Sequence, residues 1–186
     1  SLGLGLDQGF LRARFGRYPF SLVKLISYPP TPDGGAGVNA HYDAGFLTLL
    51  MQHEVGGLQV LNPDDEWIDV PPTDGALVVN LGEMLQEMTG NYFVATTHRV
   101  ITGEARFSSA WFHGPELTTS LEPLELDASF AAAVAASGSV GYVGLIVRRG
   151  ELESGVDGIG SRSGAGVFGR QLWNYYCRSY PANVAL

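Results

Sequence analysis

His41 and Asp43 flank Tyr42 in the tripeptide His41-Tyr42-Asp43, and on an extended chain side chains two residues apart project to one face. The spacing predicts that this tripeptide sits where a loop passes into a strand. An imidazole and a carboxylate on one face are the beginning of a metal site, but alone they are equally a hydrogen-bonded surface pair. A third donor is needed. His53 lies in the polar stretch Gln52-His53-Glu54, whereas His98 opens the strand-like run His98-Arg99-Val100-Ile101, which makes His98 the better third ligand. Two histidines and one carboxylate leave coordination positions open, as non-haem iron(II) oxygenases require. Zinc accepts the same donors.

Arg106 and Ser108 repeat the two-residue spacing further along, so a guanidinium fork and a hydroxyl point into one cavity. Such a pair fits a carboxylate, which arginine binds through two parallel charge-assisted hydrogen bonds. A small dicarboxylate held there has its other end free to chelate a metal. An exposed strand arginine beside a serine is the plainer reading of the same residues. Tyr28 can add a phenol hydrogen bond, although a buried tyrosine serves packing first. Asn80 and Thr48 are candidates for orienting the metal ligands, with satisfaction of buried backbone groups the alternative, and Phe46, Met84, Trp111 and Phe112 are candidates for the pocket wall, with plain core packing the alternative at each.

These residues need a rigid β framework to bring them together. Strands are predicted at 21–28, 46–51, 57–61, 67–70, 76–80, 98–101 and 107–113, separated by turn sequences such as Asn62-Pro63-Asp64-Asp65 and Pro71-Pro72-Thr73-Asp74-Gly75. Strands this short and this closely spaced indicate a sandwich or barrel. Helical turns are predicted at 4–14 and 82–89, an alanine-rich helix at 127–136 capped by Asp127, and a C-terminal helix at 171–180. Residues 31–37 read as an irregular loop, and the Gly- and Ser-rich stretch 153–169 as another.

The bulk properties agree with one domain over residues 1–186, with a β core at about 21–115 and a helical C-terminal region at 127–186. Nineteen acidic against eleven basic side chains give a net charge of -8, which repels nucleic acid and anionic membranes and leaves a small molecule as the expected partner. A single cysteine, Cys177, rules out an intrachain disulfide. Neither a signal peptide nor a membrane-spanning run is apparent, so the expected location is the cytoplasm. Oligomeric state is not legible.

The series Tyr28-Pro29, His41-Tyr42-Asp43, Thr48-Leu49-Leu50, Gly56-Gly57-Leu58-Gln59-Val60, Trp67, Val79-Asn80-Leu81-Gly82-Glu83, Thr97-His98-Arg99-Val100 and Arg106-Phe107-Ser108 resembles the isopenicillin N synthase-like branch of the 2-oxoglutarate/iron(II)-dependent oxygenases. The resemblance implies a mainly β double-stranded β-helix (a cupin-like jelly roll) with flanking helices. It also implies iron(II) on His41, Asp43 and His98, and the distal carboxylate of 2-oxoglutarate on Arg106, Ser108 and Tyr28. The activity it implies is oxidation of a small molecule with O2, releasing succinate and CO2. An N-terminal part of the family domain is expected to be missing from this chain, and Ile26 stands where many members have asparagine. Three rivals accompany this expectation. They are an isopenicillin N synthase-like oxidase that works without 2-oxoglutarate, an ethylene-forming type of enzyme, and a non-catalytic jelly-roll binding module. Because Asp43 supplies the carboxylate that halogenating relatives lack, chlorination is disfavoured.

Overall fold

The computed structural model describes residues 1–31, 34–137 and 166–179. Its centre is a pair of four-stranded antiparallel sheets. One runs β1 (Ser21–Tyr28), β8 (Arg106–His113), β3 (Leu47–Gln52), β6 (Val78–Leu81); the other runs β2 (Ala36–His41), β7 (His98–Ile101), β4 (Leu58–Leu61), β5 (Trp67–Asp69). Apart from the β4–β5 hairpin, successive strands alternate between the sheets, so the chain winds as the expected double-stranded β-helix. Between the sheets, Tyr28 from the first packs with Leu58 and Val100 from the second, and Ile26, Val38, Leu50, Val70 and Val78 close around them. These residues are mostly β-branched or aromatic, and their two-residue alternation is what turns them inward.

A second core lies beside the sheets, where Leu4, Phe46, Met84, Leu85, Met88, Leu124 and Phe168 pack together. It joins a 3-10 turn at Leu2–Leu4, α1 (Phe10–Arg14), α2 (Glu83–Met88) and α4 (Phe168–Ser179) to the β framework. The remaining helix, α3 (Ala128–Ala136), is capped as predicted, with the Asp127 carboxylate accepting from the Ser129 backbone N–H at 2.9 Å and from the Ser129 hydroxyl. Those two bonds from Ser129 hold the Asp127 carboxyl below its ordinary pKa.

Several expectations are corrected. The predicted helix at 4–14 is two short pieces, because Gly5 takes a left-handed conformation (φ 67) that ends the first turn. Strand β2, absent from the predicted set, covers Ala36–His41, so the His41-Tyr42-Asp43 tripeptide leaves a strand and enters a loop rather than the reverse. The C-terminal helix starts at Phe168, inside the predicted loop 153–169; residues 153–165 of that loop, and Tyr180 at the end of the predicted helix, lie outside the described residues. Among the described residues no helix is long and apolar enough to cross a membrane.

Candidate metal centre and co-substrate pocket

The last residue of β2, His41, pairs with the first residue of β7, His98, and their rings stand 4.4 Å apart centre to centre. Asp43 reaches the same point from the loop after β2. Its Oδ1 lies 3.8 Å from His41 Nε2 and 3.9 Å from His98 Nε2, and the donor atoms of the three residues all fall within 4.8 Å of one another. That is a spacing one ion can bridge.

Each donor is aimed by a neighbour. His41 Nδ1–H donates to the Asn39 carbonyl at 2.8 Å and His98 Nδ1–H to the Thr96 carbonyl at 3.0 Å, which turns the Nε2 atom of each ring towards Asp43 Oδ1. Asp43 is 7 % exposed, and its Oδ2 accepts from Thr48 Oγ1 at 2.5 Å and from Asn80 Nδ2 at 2.6 Å. With Oδ2 committed to these two donors, Oδ1 is the oxygen presented to the histidines. Thr48 and Asn80 face each other across β3 and β6, so one rung of the sheet sets the carboxylate.

The loop itself is fixed by α2. Helix N-termini have N–H groups with no partner in their own helix. Here Gly82 N–H donates to Phe46 O at 3.0 Å, Glu83 N–H to Asp43 O at 2.8 Å, and Met84 N–H to Gly45 O at 3.2 Å. A Cβ at Gly82 would lie 2.0 Å from the Gly45 carbonyl oxygen, so this close approach requires glycine. Tyr42, between the two ligands, donates through its hydroxyl to Glu83 Oε1 at 2.8 Å and ties the loop down a second time.

One step from His98 along the same face of β7, Val100 packs against Tyr28, and Tyr28 is paired with Arg106 in the opposite sheet. Arg106 is 0 % exposed. Its guanidinium lies over the Tyr28 ring at 4.6 Å, yet Nε, Nη1 and Nη2 have no hydrogen-bond partner among the described residues. Burial lowers the Arg106 pKa from its ordinary value, and the Tyr28 phenol opposes the shift. Ser108 is also buried, with its Oγ 3.2 Å from the Tyr28 hydroxyl. A buried cation with an unused donor fork is costly unless an anion meets it. The planar fork, flanked by two hydroxyls, fits a carboxylate.

Two of the three metal ligands, His41 and Asp43, open onto a cavity of about 130 Å³ that is also lined by Tyr42, by Phe20, Leu22, Lys24, Phe112 and His113 from the first sheet and its approach, and by Phe168, Gln171, Leu172 and Tyr176 of α4. Burial lowers the His113 pKa, which favours a neutral imidazole at this edge. Of the four predicted wall residues, Phe112 lines the cavity, Phe46 and Met84 belong to the helical core, and Trp111 stacks on His113 with ring centres 5.0 Å apart. His53 stands apart, over Phe107 at 6.0 Å. Leu172 and Tyr176 are apolar residues of the expected C-terminal helix, but no α4 residue is among the predicted wall residues; the spacing of Phe168, Gln171, Leu172 and Tyr176, which marks one helix face, is the signal that places them together.

The described donor set therefore fits iron(II), and the buried fork fits a carboxylate. The chain is 42% identical over 120 residues to 1-aminocyclopropane-1-carboxylate oxidase 4 of Arabidopsis thaliana, a match covering 60% of this chain and 37% of that protein. It is 46% identical over 122 residues to 1-aminocyclopropane-1-carboxylate oxidase homolog 10 of the same plant, covering 63% of this chain and 33% of the relative. The matches thus span about a third of the relatives' length. Among solved structures, JOX2 in complex with 2OG, Fe and JA superposes with a TM-score of 0.64 at 32% identity, over 67% of this chain and 38% of that one. A full-length Neurospora crassa protein in complex with alpha-KG and thymine reaches a TM-score of 0.71 over 96% of this chain and 50% of the other, and at 22% identity it speaks to the fold alone. The model of the 2OG-Fe(II) oxygenase superfamily matches residues 10–115, more than half of the chain and all of the strands above, and the chain belongs to that superfamily.

Proposed function

We propose that this chain forms the core of a non-haem iron(II) oxygenase that uses 2-oxoglutarate and O2 to oxidise a C–H bond of a small molecule. The observation that carries the reading is Arg106, a fully buried guanidinium whose three nitrogens lack partners among the described residues, joined through Tyr28 and Val100 to the strand that carries His98 of a three-donor metal cluster. In this reading His41, Asp43 and His98 hold the iron on one side and leave its other positions to ligands. Thr48 and Asn80 keep Asp43 Oδ2 occupied, and the carbonyls of Asn39 and Thr96 hold the imidazoles in register. Arg106 grips the distal carboxylate of 2-oxoglutarate, with Ser108 and Tyr28 beside it. The apolar wall from Phe112, Phe168 and Leu172 keeps bulk water from the reacting centre. When bound, iron(II) with 2-oxoglutarate and O2 supplies the oxidising chemistry, in which 2-oxoglutarate becomes succinate and CO2 and one oxygen atom goes to substrate.

A small-molecule substrate is supported by the size of the cavity and by relatives whose names or titles carry 1-aminocyclopropane-1-carboxylate or JA. The net charge of -8 argues against nucleic acid and anionic membranes as partners, and the single cysteine suits a cytoplasmic setting. A second reading has one specific support: the carboxylate in the name of the relatives' substrate suits the Arg106 fork as well as 2-oxoglutarate does, which makes a 2-oxoglutarate-independent oxidase the competing possibility. Incubation of the chain with iron(II), 2-oxoglutarate and O2, with succinate measured against O2 consumed, separates the two. Succinate that depends on 2-oxoglutarate and vanishes in Asp43→Ala supports the first reading; O2 uptake without succinate replaces it with the second.

A further inference from the structure

Gln171 is a polar side chain of the cavity to which neither the iron cluster nor the carboxylate pocket gives a task. It is 6 % exposed, and its Oε1 is fully buried without a hydrogen-bond partner among the described residues. The desolvation of that oxygen is therefore uncompensated by the protein's own described groups. Its position is set by backbone contacts. The first turn of α4 is pinned to the chain leaving β8, with Phe168 N–H donating to Thr119 O at 2.9 Å and Gly169 N–H to Leu117 O at 2.7 Å. The Phe168 ring sits on Gly114, where a Cβ would come within 2.6 Å of it. Gln171 is three residues further on and lines the same cavity as His41 and Asp43, among apolar neighbours that include Phe112 and Leu172.

We infer that Gln171 is a specificity-determining residue for the primary substrate: its Oε1 accepts a hydrogen bond from an amine, amide or hydroxyl of a small, otherwise apolar molecule seated beside the iron ligands. A site that presents an unsatisfied acceptor in an apolar wall discriminates strongly against an analogue lacking the donor, because that analogue leaves the acceptor unpaired. The inference rests on the proposed reading of this cavity as the substrate site.

The test is ligand-observed NMR on the full chain loaded with iron(II) and 2-oxoglutarate in the absence of oxygen. The probes are matched pairs of small molecules differing in one donor: 1-aminocyclopropane-1-carboxylate against cyclopropanecarboxylate, and short cyclic alcohols against their methyl ethers. In the wild type the donor-bearing member of at least one pair binds about tenfold more tightly than its partner, with its signals broadened by the paramagnetic iron. Gln171→Met removes that preference without lowering Tm, since it deletes an unsatisfied buried oxygen, and Gln171→Glu, which keeps an acceptor oxygen there, restores it. A donor preference that survives Gln171→Met overturns the inference, as does a wild type that shows no preference in any pair, including one that binds no probe. Probe binding without iron-dependent broadening also overturns it, and by a different route, because the cavity is then not the substrate site. Broadening without dependence on Gln171 overturns the inference alone.

Discussion

Replacing Arg106 by methionine keeps an unbranched side chain of similar length in the buried site and removes the guanidinium that lies over Tyr28, and with it the charge. Because the guanidinium nitrogens have no partner within the described protein, the usual penalty for breaking a buried ion pair is absent. Replacing buried charge by apolar volume is often neutral or stabilising by about 1 to 4 kcal/mol. The Arg106→Met protein without ligands is therefore expected to melt at or above the wild-type temperature. The opposite holds with 2-oxoglutarate. A bidentate carboxylate contact contributes two charge-assisted bonds of about 1.5 to 3 kcal/mol each, so its loss raises Kd by about 10²- to 10⁴-fold. At a concentration of 100 times the wild-type Kd, 2-oxoglutarate stabilises the wild type by about 2.7 kcal/mol, or roughly 5 to 10 °C for a chain of this length. The variant gains almost nothing under the same conditions. Thermal melts of both proteins with iron(II) held constant and oxygen excluded read these differences directly. An equal shift in both proteins refutes the assignment of Arg106 to the co-substrate. A large loss of stability in the unliganded variant refutes the premise that the guanidinium lacks a protein partner.

Asn80→Ala removes one of the two donors to Asp43 Oδ2 and is expected to weaken iron(II) binding by about 10- to 100-fold, read by anaerobic titration, with the fold retained. Tyr28→Phe deletes the hydroxyl beside Ser108 while keeping the ring under Arg106, so the 2-oxoglutarate Kd should rise by about three- to tenfold with little change in iron affinity. Glu87 has its pKa raised from 4.5 to about 7, chiefly by burial and secondarily by Glu83. An acid whose folded pKa is raised favours folding below its unfolded value and loses that contribution as pH rises through about 7. Glu87→Gln should therefore be more stable than wild type in urea at pH above 7, and the advantage should shrink as pH falls towards 4.5.

The parts of the site that were legible in the sequence are those built from strict strand geometry. Arg106 and Ser108 alternate with Phe107 on β8, so their two-residue spacing alone places both inside; Arg106 and Ser108 are buried while Phe107 is 58% exposed. His98 was separable from His53 because it starts a strand, and the structure pairs it with His41. Thr48 and Asn80 were legible as orienting residues on the strength of the family resemblance, and the structure hydrogen-bonds both to Asp43 Oδ2. Strand β2 was not. Ala36, Gly37, Asn39 and Ala40 have weak strand preference, and β2 is an edge strand whose register with β7 shifts twice, so pairing with β7 rather than local preference makes it a strand. The α2 contacts that fix the ligand loop join backbone atoms, which leave no trace in side-chain pattern beyond the glycine at 82. Gln171 escaped notice because a glutamine on a helix is ordinarily a surface residue. Its burial depends on Gly114 and the 117–119 segment bringing α4 against the mouth of the cavity.

The most direct measurement is the visible charge-transfer band of a 2-oxoglutarate chelate on iron(II), recorded without oxygen in wild type, Asp43→Ala and Arg106→Met. A band in the wild type that is lost in Asp43→Ala and strongly weakened in Arg106→Met, at a 2-oxoglutarate concentration near the wild-type Kd, is the predicted result. Iron bound by the wild type with no band at any 2-oxoglutarate concentration would contradict the claim that these residues together hold iron and 2-oxoglutarate.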